Sequence, residues 1–563
     1  MTRGRRLWAA ATLLTLVLAA CSGDPASEPA PTGGEGDDRV RAPAAAAAPN
    51  VLLVMADDMR ADELQWMPKT RRQLGARGLE FLNSFAPNPL CCPARASLLT
   101  GKYSHNHRVL SHEAPYGFGA FDDSTTLATS LQAAGYRTAL VGKYLNGYGE
   151  QPTYDGDDSL LYVPPGWNQW YGSTDHVFAP GESPGGGTYH YFDLTSNING
   201  ELVNFAGQYS TDVTGQQTRD LIRRFAAAED GAPWFVWWNP VAPHHGGPAE
   251  PDDPGTVPRA DGFGVKWLTP ARPASVQGRF DDAITHGLGM PADGIAEEDV
   301  SDKPAYVRSF PQFTQREVEV LTEVSRQRAE ALSVLDDQMA RTLRMLRRVP
   351  GGEDTVVVFT SDNGYYLGEH RKRQGKINLH EPSIRVPFLI AGPEVPRGVR
   401  HDPVTVQDLA TTIAAWARAD LPAVDGTDIR PVLRDGDRGW TRPVLLEGLM
   451  PESTYLNAKG RPAGMGDLDT MGLRLGRWKF VIYSTGEVEA YDLQADPLEL
   501  ESLAWGADDA TLTALHELWQ AYATCAGDAC RRPLADEWVA GTDLNRAITV
   551  GQRAAVAAEY GQG

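Results

Sequence analysis

Five short apolar runs constrain the architecture most: Val51–Met55, Thr138–Val141, Trp234–Trp238, Thr355–Thr360 and Val386–Ile390. Each is brief, apolar and rich in β-branched or aromatic residues, so each reads as a buried strand. Helical patterns lie between them. The clearest covers 314–348, where Val318, Leu321, Val324, Leu332, Met339, Leu343 and Leu346 recur at mostly helical spacing. Alternating strands and helices predict α/β layers, with the polar loops at the carboxyl ends of the strands building a site. Residues 151–210 and 245–310 are rich in Gly, Pro, Asp and Tyr and read as long surface loops or insertions. From about residue 440 the pattern changes. Trp478–Tyr483, a turn at Ser484-Thr485-Gly486 and Val488–Tyr491 predict an antiparallel hairpin, and Thr511–Ala523 a helix after it. The expected organisation is a main α/β domain over 49–440, a smaller α+β subdomain over 441–532 and a tail over 533–563.

The amino terminus carries a different message. Arg3, Arg5 and Arg6 precede an apolar run from Leu7 to Ala20, the layout of an export signal. The run ends Leu18-Ala19-Ala20-Cys21, which resembles the lipobox of bacterial lipoproteins and implies lipidation of Cys21. An ordinary signal cleavage site and an uncleaved anchor are the alternatives. Residues 22–48 are mostly Pro, Ala, Gly, Ser and Asp, too poor in large apolar side chains to form a core, and read as a disordered linker. The expected location is outside the cytoplasm, on the outer face of a bacterial membrane or secreted. A net charge of −21 argues against a nucleic-acid partner. The 5 cysteines are too few for a disulfide scaffold and fall at Cys21, at Cys91 and Cys92, and at Cys525 and Cys530. In an exported protein the last pair is expected to form a disulfide rather than a metal site, because no further Cys or His lies beside it.

Two polar clusters close strands. Asp57 and Asp58 follow Val51–Met55, and Asp362 and Asn363 follow Thr355–Thr360. A helix cap or a plain turn explains either cluster alone. Together they offer hard oxygen donors without sulfur or imidazole, a set that favours Ca²⁺ or Mg²⁺ over zinc. Between them in the chain stands Cys91-Cys92-Pro93-Ala94-Arg95, followed by Thr100-Gly101. Two cysteines before a proline also suit a buried core pair or a vicinal disulfide.

This segment resembles the Cys-x-Pro-x-Arg signature of the type I sulfatases, in which a separate enzyme oxidises the cysteine to the aldehyde formylglycine. Only Cys91 has Pro at plus two and Arg at plus four, so Cys91 is the matured residue the resemblance implies. Ala94 stands where the family more often has Ser. Further elements match in order: Gly142-Lys143, Pro243-His244, and Lys376 ahead of Arg385-Val386-Pro387. His380 replaces the usual tyrosine, and Leu145 stands where a histidine is common. Gly101-Lys102-Tyr103-Ser104-His105-Asn106-His107, Gly142–Gly149 and Val163–Trp167 resemble the branch of N-acetylglucosamine-6-sulfatases and extracellular heparan 6-O-endosulfatases.

The resemblance implies an alkaline-phosphatase-like mixed sheet flanked by helices, and a formylglycine at 91. It also implies one divalent cation, calcium more than magnesium, on Asp57, Asp58, residue 91, Asp362 and Asn363. The implied substrate is a sulfated carbohydrate or another sulfate ester. Arg95 is expected to hold the formylglycine, Lys143 and Lys376 to contact sulfate oxygens, and His244 to protonate the leaving oxygen. His105 and His107 are candidates for substrate contacts, with structural hydrogen bonds as the alternative. Arg373, in the run Arg371-Lys372-Arg373, is a candidate for a basic rim that attracts anionic substrate. Two competing readings are a phosphonate monoester or phosphodiester hydrolase of the same superfamily and a silent carbohydrate-binding lipoprotein.

Overall fold

The Asn50–Ala56 strand sits near the middle of the fold because both of its faces are apolar. Val51, Leu53 and Met55 pack into one hydrophobic cluster with Cys92, Ala96 and Leu99 of the Cys91–Thr100 helix and Leu409 and Ile413 of the Val406–Ala417 helix. Leu52, Val54 and Ala56 pack into another, with Leu221 and Phe225 of Ser210–Ala226 and Leu335 and Met339 of Gln315–Leu346. The two-residue alternation of a strand therefore feeds two helical layers. The computed structural model describes residues 48–177, 185–449, 469–504 and 510–561, so the export signal, Cys21 and the spacer up to residue 47 lie outside the described residues.

Five parallel strands make the centre of a mixed sheet. In spatial order they are Thr355–Ser361, Asn50–Ala56, Trp234–Asn239, Arg137–Lys143 and Gln169–Ser173. Antiparallel neighbours extend both sides: Phe388–Ala391 beside Thr355–Ser361, and Thr195–Ile198 beside Gln169–Ser173. Leu79–Phe81 with Gly398–Arg400, and Glu201–Asn204, complete the 10 strands. The Gln315–Leu346 helix starts at a capping box in which Thr314 and Glu317 satisfy each other's backbone N–H. The strand expected at 386 begins at Phe388 instead. Pro387 has no N–H to give a ladder, so regular pairing starts after it.

Two segments differ from the sequence expectation. The stretch over 151–210 holds three strands of the main sheet rather than loops alone. These strands are short and polar, and they are ordered by pairing with a neighbour rather than by an apolar run of their own. The 533–563 segment, expected to be a tail, carries the Thr542–Tyr560 helix. That helix docks through polar groups: Asn545 donates to the His401 carbonyl at 2.7 Å, and Asn83 donates to Thr549 at 2.8 Å. Apolar periodicity cannot reveal a face made of Asn and Thr.

Val444–Gly448, Thr470–Leu475, Trp478–Tyr483 and Val488–Asp492 form a second, antiparallel sheet. The Ala510–Tyr522 helix covers it, and a separate apolar cluster joins them. Cys525 and Cys530, just after that helix, are disulfide-bonded and belong to the same cluster.

Candidate active site

The register of the sheet gathers the site. Ala56 pairs with Ser361 in parallel, so the polar residues that follow each strand emerge at the same edge. Asp57 and Asp58 come from one strand end, and Asp362 and Asn363 from the next. Lys143 ends the Arg137–Lys143 strand, and His244 follows Trp234–Asn239 by a short loop. Asp58 adopts φ 63°, a left-handed backbone uncommon outside glycine. The turn aims its N–H at Asp362 Oδ1, 3.1 Å away.

The Cys91–Thr100 helix brings the cysteine in. Pro93 lies in its first turn, where a missing N–H loses no helical bond. Arg95, one turn after Cys91, shares its face of the helix. Gly101 ends the helix at φ 69°, and a β-carbon there would meet Val424 at 2.7 Å, which explains the glycine of Thr100-Gly101.

The side chains converge on Cys91 Sγ, which is fully buried. Its thiol lies 3.1 Å from Asp57 Oδ1 and 3.6 Å from Asp58 Oδ1, and Lys376 Nζ reaches it at 2.7 Å. Lys376 also pairs with Asp58, and Lys143 Nζ pairs with Asp57 Oδ2 at 2.7 Å. Asn363 donates to Asp58 Oδ1 at 2.7 Å. Arg95 donates through Nε to Asp362 Oδ2 at 2.8 Å and through Nη1 to the Lys143 carbonyl at 3.0 Å. His244 Nδ1 faces the His245 carbonyl at 2.7 Å, so Nδ1 carries the proton and Nε2 is left as an acceptor, 3.6 Å from Asp58 Oδ2.

Burial dominates the electrostatics, and the local charges decide what survives it. Burial raises the Asp58 carboxyl, but the charged lysines, Lys376 first and then Lys143, outweigh it and hold Asp58 well below the usual carboxylate range. Burial lowers the two lysines, yet Asp57 keeps Lys143 above its ordinary value and Asp58 does the same for Lys376. Burial, then Asp362 and Asp57, push the Cys91 thiol well up, so the cysteine is held as a thiol. Burial and the neighbouring His245 hold His244 neutral.

The carboxylates of Asp57 and Asp58 lie with Cys91 and His244 in a group whose ligand atoms are all within 4.8 Å of one another. The oxygens of this group, with Asp362 and Asn363 bonded to Asp58, fit a hard divalent cation, which the thiol and the imidazole by themselves would not select. Asp58 Oδ2 and Asn363 Oδ1 are buried with no hydrogen-bond partner among the described residues, which leaves two oxygens able to hold a further group.

Three sequence candidates lie elsewhere. His105 pairs through Nδ1 with Glu447 and through Nε2 with the Cys525 carbonyl at 2.7 Å, tying the main domain to the second sheet and the disulfide loop. His107 Nε2 contacts Ser97 Oγ at 2.9 Å and its Nδ1 accepts from Val109 N, so both nitrogens are engaged in structure. Arg373 is no rim residue. It is buried, bonds Glu317 at 2.8 and 3.1 Å and stacks on Phe313. Its neighbour Lys372 is buried as well, and burial lowers it to about 7.

Other groups approach the centre without having been singled out. Tyr189 packs on His244 at a 31° tilt with ring centroids 4.5 Å apart, and Lys143 Nζ lies 5.2 Å from the Tyr189 ring centroid. Asn146 bonds Tyr189. His112 carries a buried Nε2 with no partner among the described residues; burial lowers its pKa well below the usual value, and the nearby Lys376 and Lys143 add to that. Only the Asn146 position carried a sequence signal, as part of the Gly142–Gly149 element. The other two come from segments with no motif.

Comparison with known proteins agrees with this geometry. The family model described as Sulfatase matches residues 49–419. An arylsulfatase of Volvox carteri is 29% identical over 532 residues, covering 87% of this chain and 77% of its own. An N-acetylglucosamine-6-sulfatase of Capra hircus is 27% identical over 536 residues, covering 86% and 85%. A solved structure in complex with its substrate D-glucosamine-2-N,6-O-disulfate superposes with a TM-score of 0.60 at 19% identity, covering 84% of this chain and 97% of that one.

Proposed function

This chain belongs to the sulfatase family and is a sulfuric ester hydrolase, and from that premise we propose that it removes sulfate from a sulfated sugar, such as N-acetylglucosamine 6-sulfate or a glycosaminoglycan fragment. The relatives named for such esters support the sugar reading. Residue 91 acts as formylglycine after oxidation by a separate maturation enzyme, and one divalent cation, calcium rather than magnesium, sits on Asp57, Asp58, Asp362, Asn363 and residue 91. The convergence of Asp57, Asp58 and Lys376 on Cys91 Sγ carries the proposal.

A sulfate ester presents negative oxygens that repel a nucleophile. The cation supplies positive charge beside those oxygens, and the hydrated aldehyde supplies a hydroxyl nucleophile with a second hydroxyl to expel sulfate. The chain supplies the rest. Lys143 and Lys376 remain charged though buried, so they bind sulfuryl oxygens where water screens them least. Arg95 pins Asp362 and the end of the Lys143 strand, and its Nη2, buried without an acceptor among the described residues, would bond an oxygen at residue 91. His244 takes up a proton at Nε2 and delivers it to the leaving oxygen. The protein works outside the cytoplasm, exported by residues 1–21 and tethered through a lipid on Cys21, with the 22–48 linker as spacer.

The test is a substrate panel on matured, calcium-loaded protein. Release of sulfate from glucosamine-type 6-sulfates is expected. Turnover of phosphonate monoesters or phosphodiesters with no sulfate released from any ester would overturn the proposal.

A further inference from the structure

The position at which sulfatases commonly carry a histidine is filled here by Leu145, and the structure turns it away from the chemistry. Leu145 and Tyr144 are both buried in the apolar cluster beneath the sheet. The next residue, Asn146, is the first after Lys143 to face back. Its Nδ2 bonds Tyr189 Oη at 2.6 Å. Its Oδ1 is buried and has no hydrogen-bond partner among the described residues. Turning the amide over would exchange which end is free without removing the free end. Tyr189 in turn packs on His244 and under Lys143 Nζ, so it links the amide to two groups that flank residue 91.

We infer that Asn146, held in place by Tyr189, reads the alcohol half of the substrate through a hydrogen bond to a hydroxyl or N–H group next to the sulfate ester. The inference rests on the sulfatase reading and refines it. An unpaired buried amide group is unfavourable, and a substrate that satisfies it removes that cost. A site built this way discriminates strongly against an analogue lacking the polar group, because the amide is then left unpaired in the complex. A sugar sulfate offers hydroxyl or N–H groups at that place, and a simple aryl sulfate offers none. Tyr189 is a positioning residue: it bonds Asn146 through its hydroxyl and packs on His244 with its ring.

Steady-state kinetics on a sugar 6-sulfate and on 4-nitrophenyl sulfate test the inference. Asn146→Ala is expected to lower the ratio of kcat/KM for sugar over aryl ester by about 10- to 100-fold. Tyr189→Phe is expected to shift the same ratio in the same direction by less, because the amide survives but is no longer held. Equal losses on both esters, or no change in the ratio, would overturn the inference. A wild-type protein that hydrolyses neither ester would sink the sulfatase reading itself, which separates the two failures.

Discussion

Two largely buried charge clusters in this molecule solve the same problem differently. Around Glu381, every charge is answered by another from the protein. Glu381 takes Arg474 Nε at 2.9 Å on one oxygen and Arg385 Nε at 2.9 Å on the other, while Lys479 pairs with Glu499 and Glu499 also accepts from Glu381 N at 2.7 Å. None of these five side chains has an unpartnered buried atom among the described residues. Around Cys91 the bookkeeping stays open: Asp58 Oδ2, Asn363 Oδ1 and Arg95 Nη2 are all buried without partners. The first cluster fastens the second sheet to the main domain. The second is built to be completed from outside, by a cation and a substrate, and its unpaired atoms mark where.

The contrast can be broken most forcefully at residue 91. Cys91→Ser should fold normally yet lose at least about 10⁴-fold in steady-state sulfate release, because a serine ester has no second hydroxyl to expel sulfate. Release continuing at a wild-type rate would contradict the open-centre account.

The closed cluster should respond in stability instead. Glu381→Ala leaves Arg385, Arg474 and Lys479 facing one another and is expected to cost about 3–5 kcal/mol in denaturant unfolding. The protein that remains folded should keep its kcat. A loss of activity without a loss of stability would mean that the two clusters are not separate in role.

Metal dependence sharpens the same division. Calcium at a hundredfold over its dissociation constant should raise unfolding free energy by about 2.7 kcal/mol, and chelation should remove both that gain and the activity. Asp58→Asn should erase the calcium-dependent shift in melting temperature, whereas Glu381→Ala should leave it in place.

A smaller effect belongs to the structural link at His105. Burial opposes its charge, but Glu447 overcomes this and raises it from 6.5 to about 9. A raised pKa stabilises the fold fully below pH 6.5 and is lost as the pH climbs through about 9. The link is therefore expected to contribute about 3 kcal/mol that disappears across this window. His105→Gln should flatten the pH dependence of the melting temperature there. An unchanged slope would show that the charged pair is not formed.

The sequence made the open cluster legible and left the closed ones obscure. Asp57, Asp58, Asp362 and Asn363 stand at the ends of apolar strands, and Pro93 and Arg95 stand at fixed distances from Cys91, so short-range pattern carries their meaning. Arg373 was misread because its partner Glu317 lies 56 residues away, and a basic run on a loop looks solvated until that acid is in place. For His105 the sequence left a substrate contact and a structural bond open, and the structure shows the structural bond, to Glu447 342 residues along the chain. The edge strands over 169–204 and the Thr542–Tyr560 helix take their order from polar pairing, which hydrophobic periodicity does not record. Asn146 lay in a matched element, but its consequence depends on Tyr189, which only the fold supplies.

The most direct test is the mass of the peptide that carries residue 91, measured on protein purified from its native host together with its sulfatase activity. The account predicts an aldehyde in place of the thiol, in a fraction that scales with activity across preparations. An unmodified Cys91 in a protein that nevertheless hydrolyses sulfate esters would contradict it.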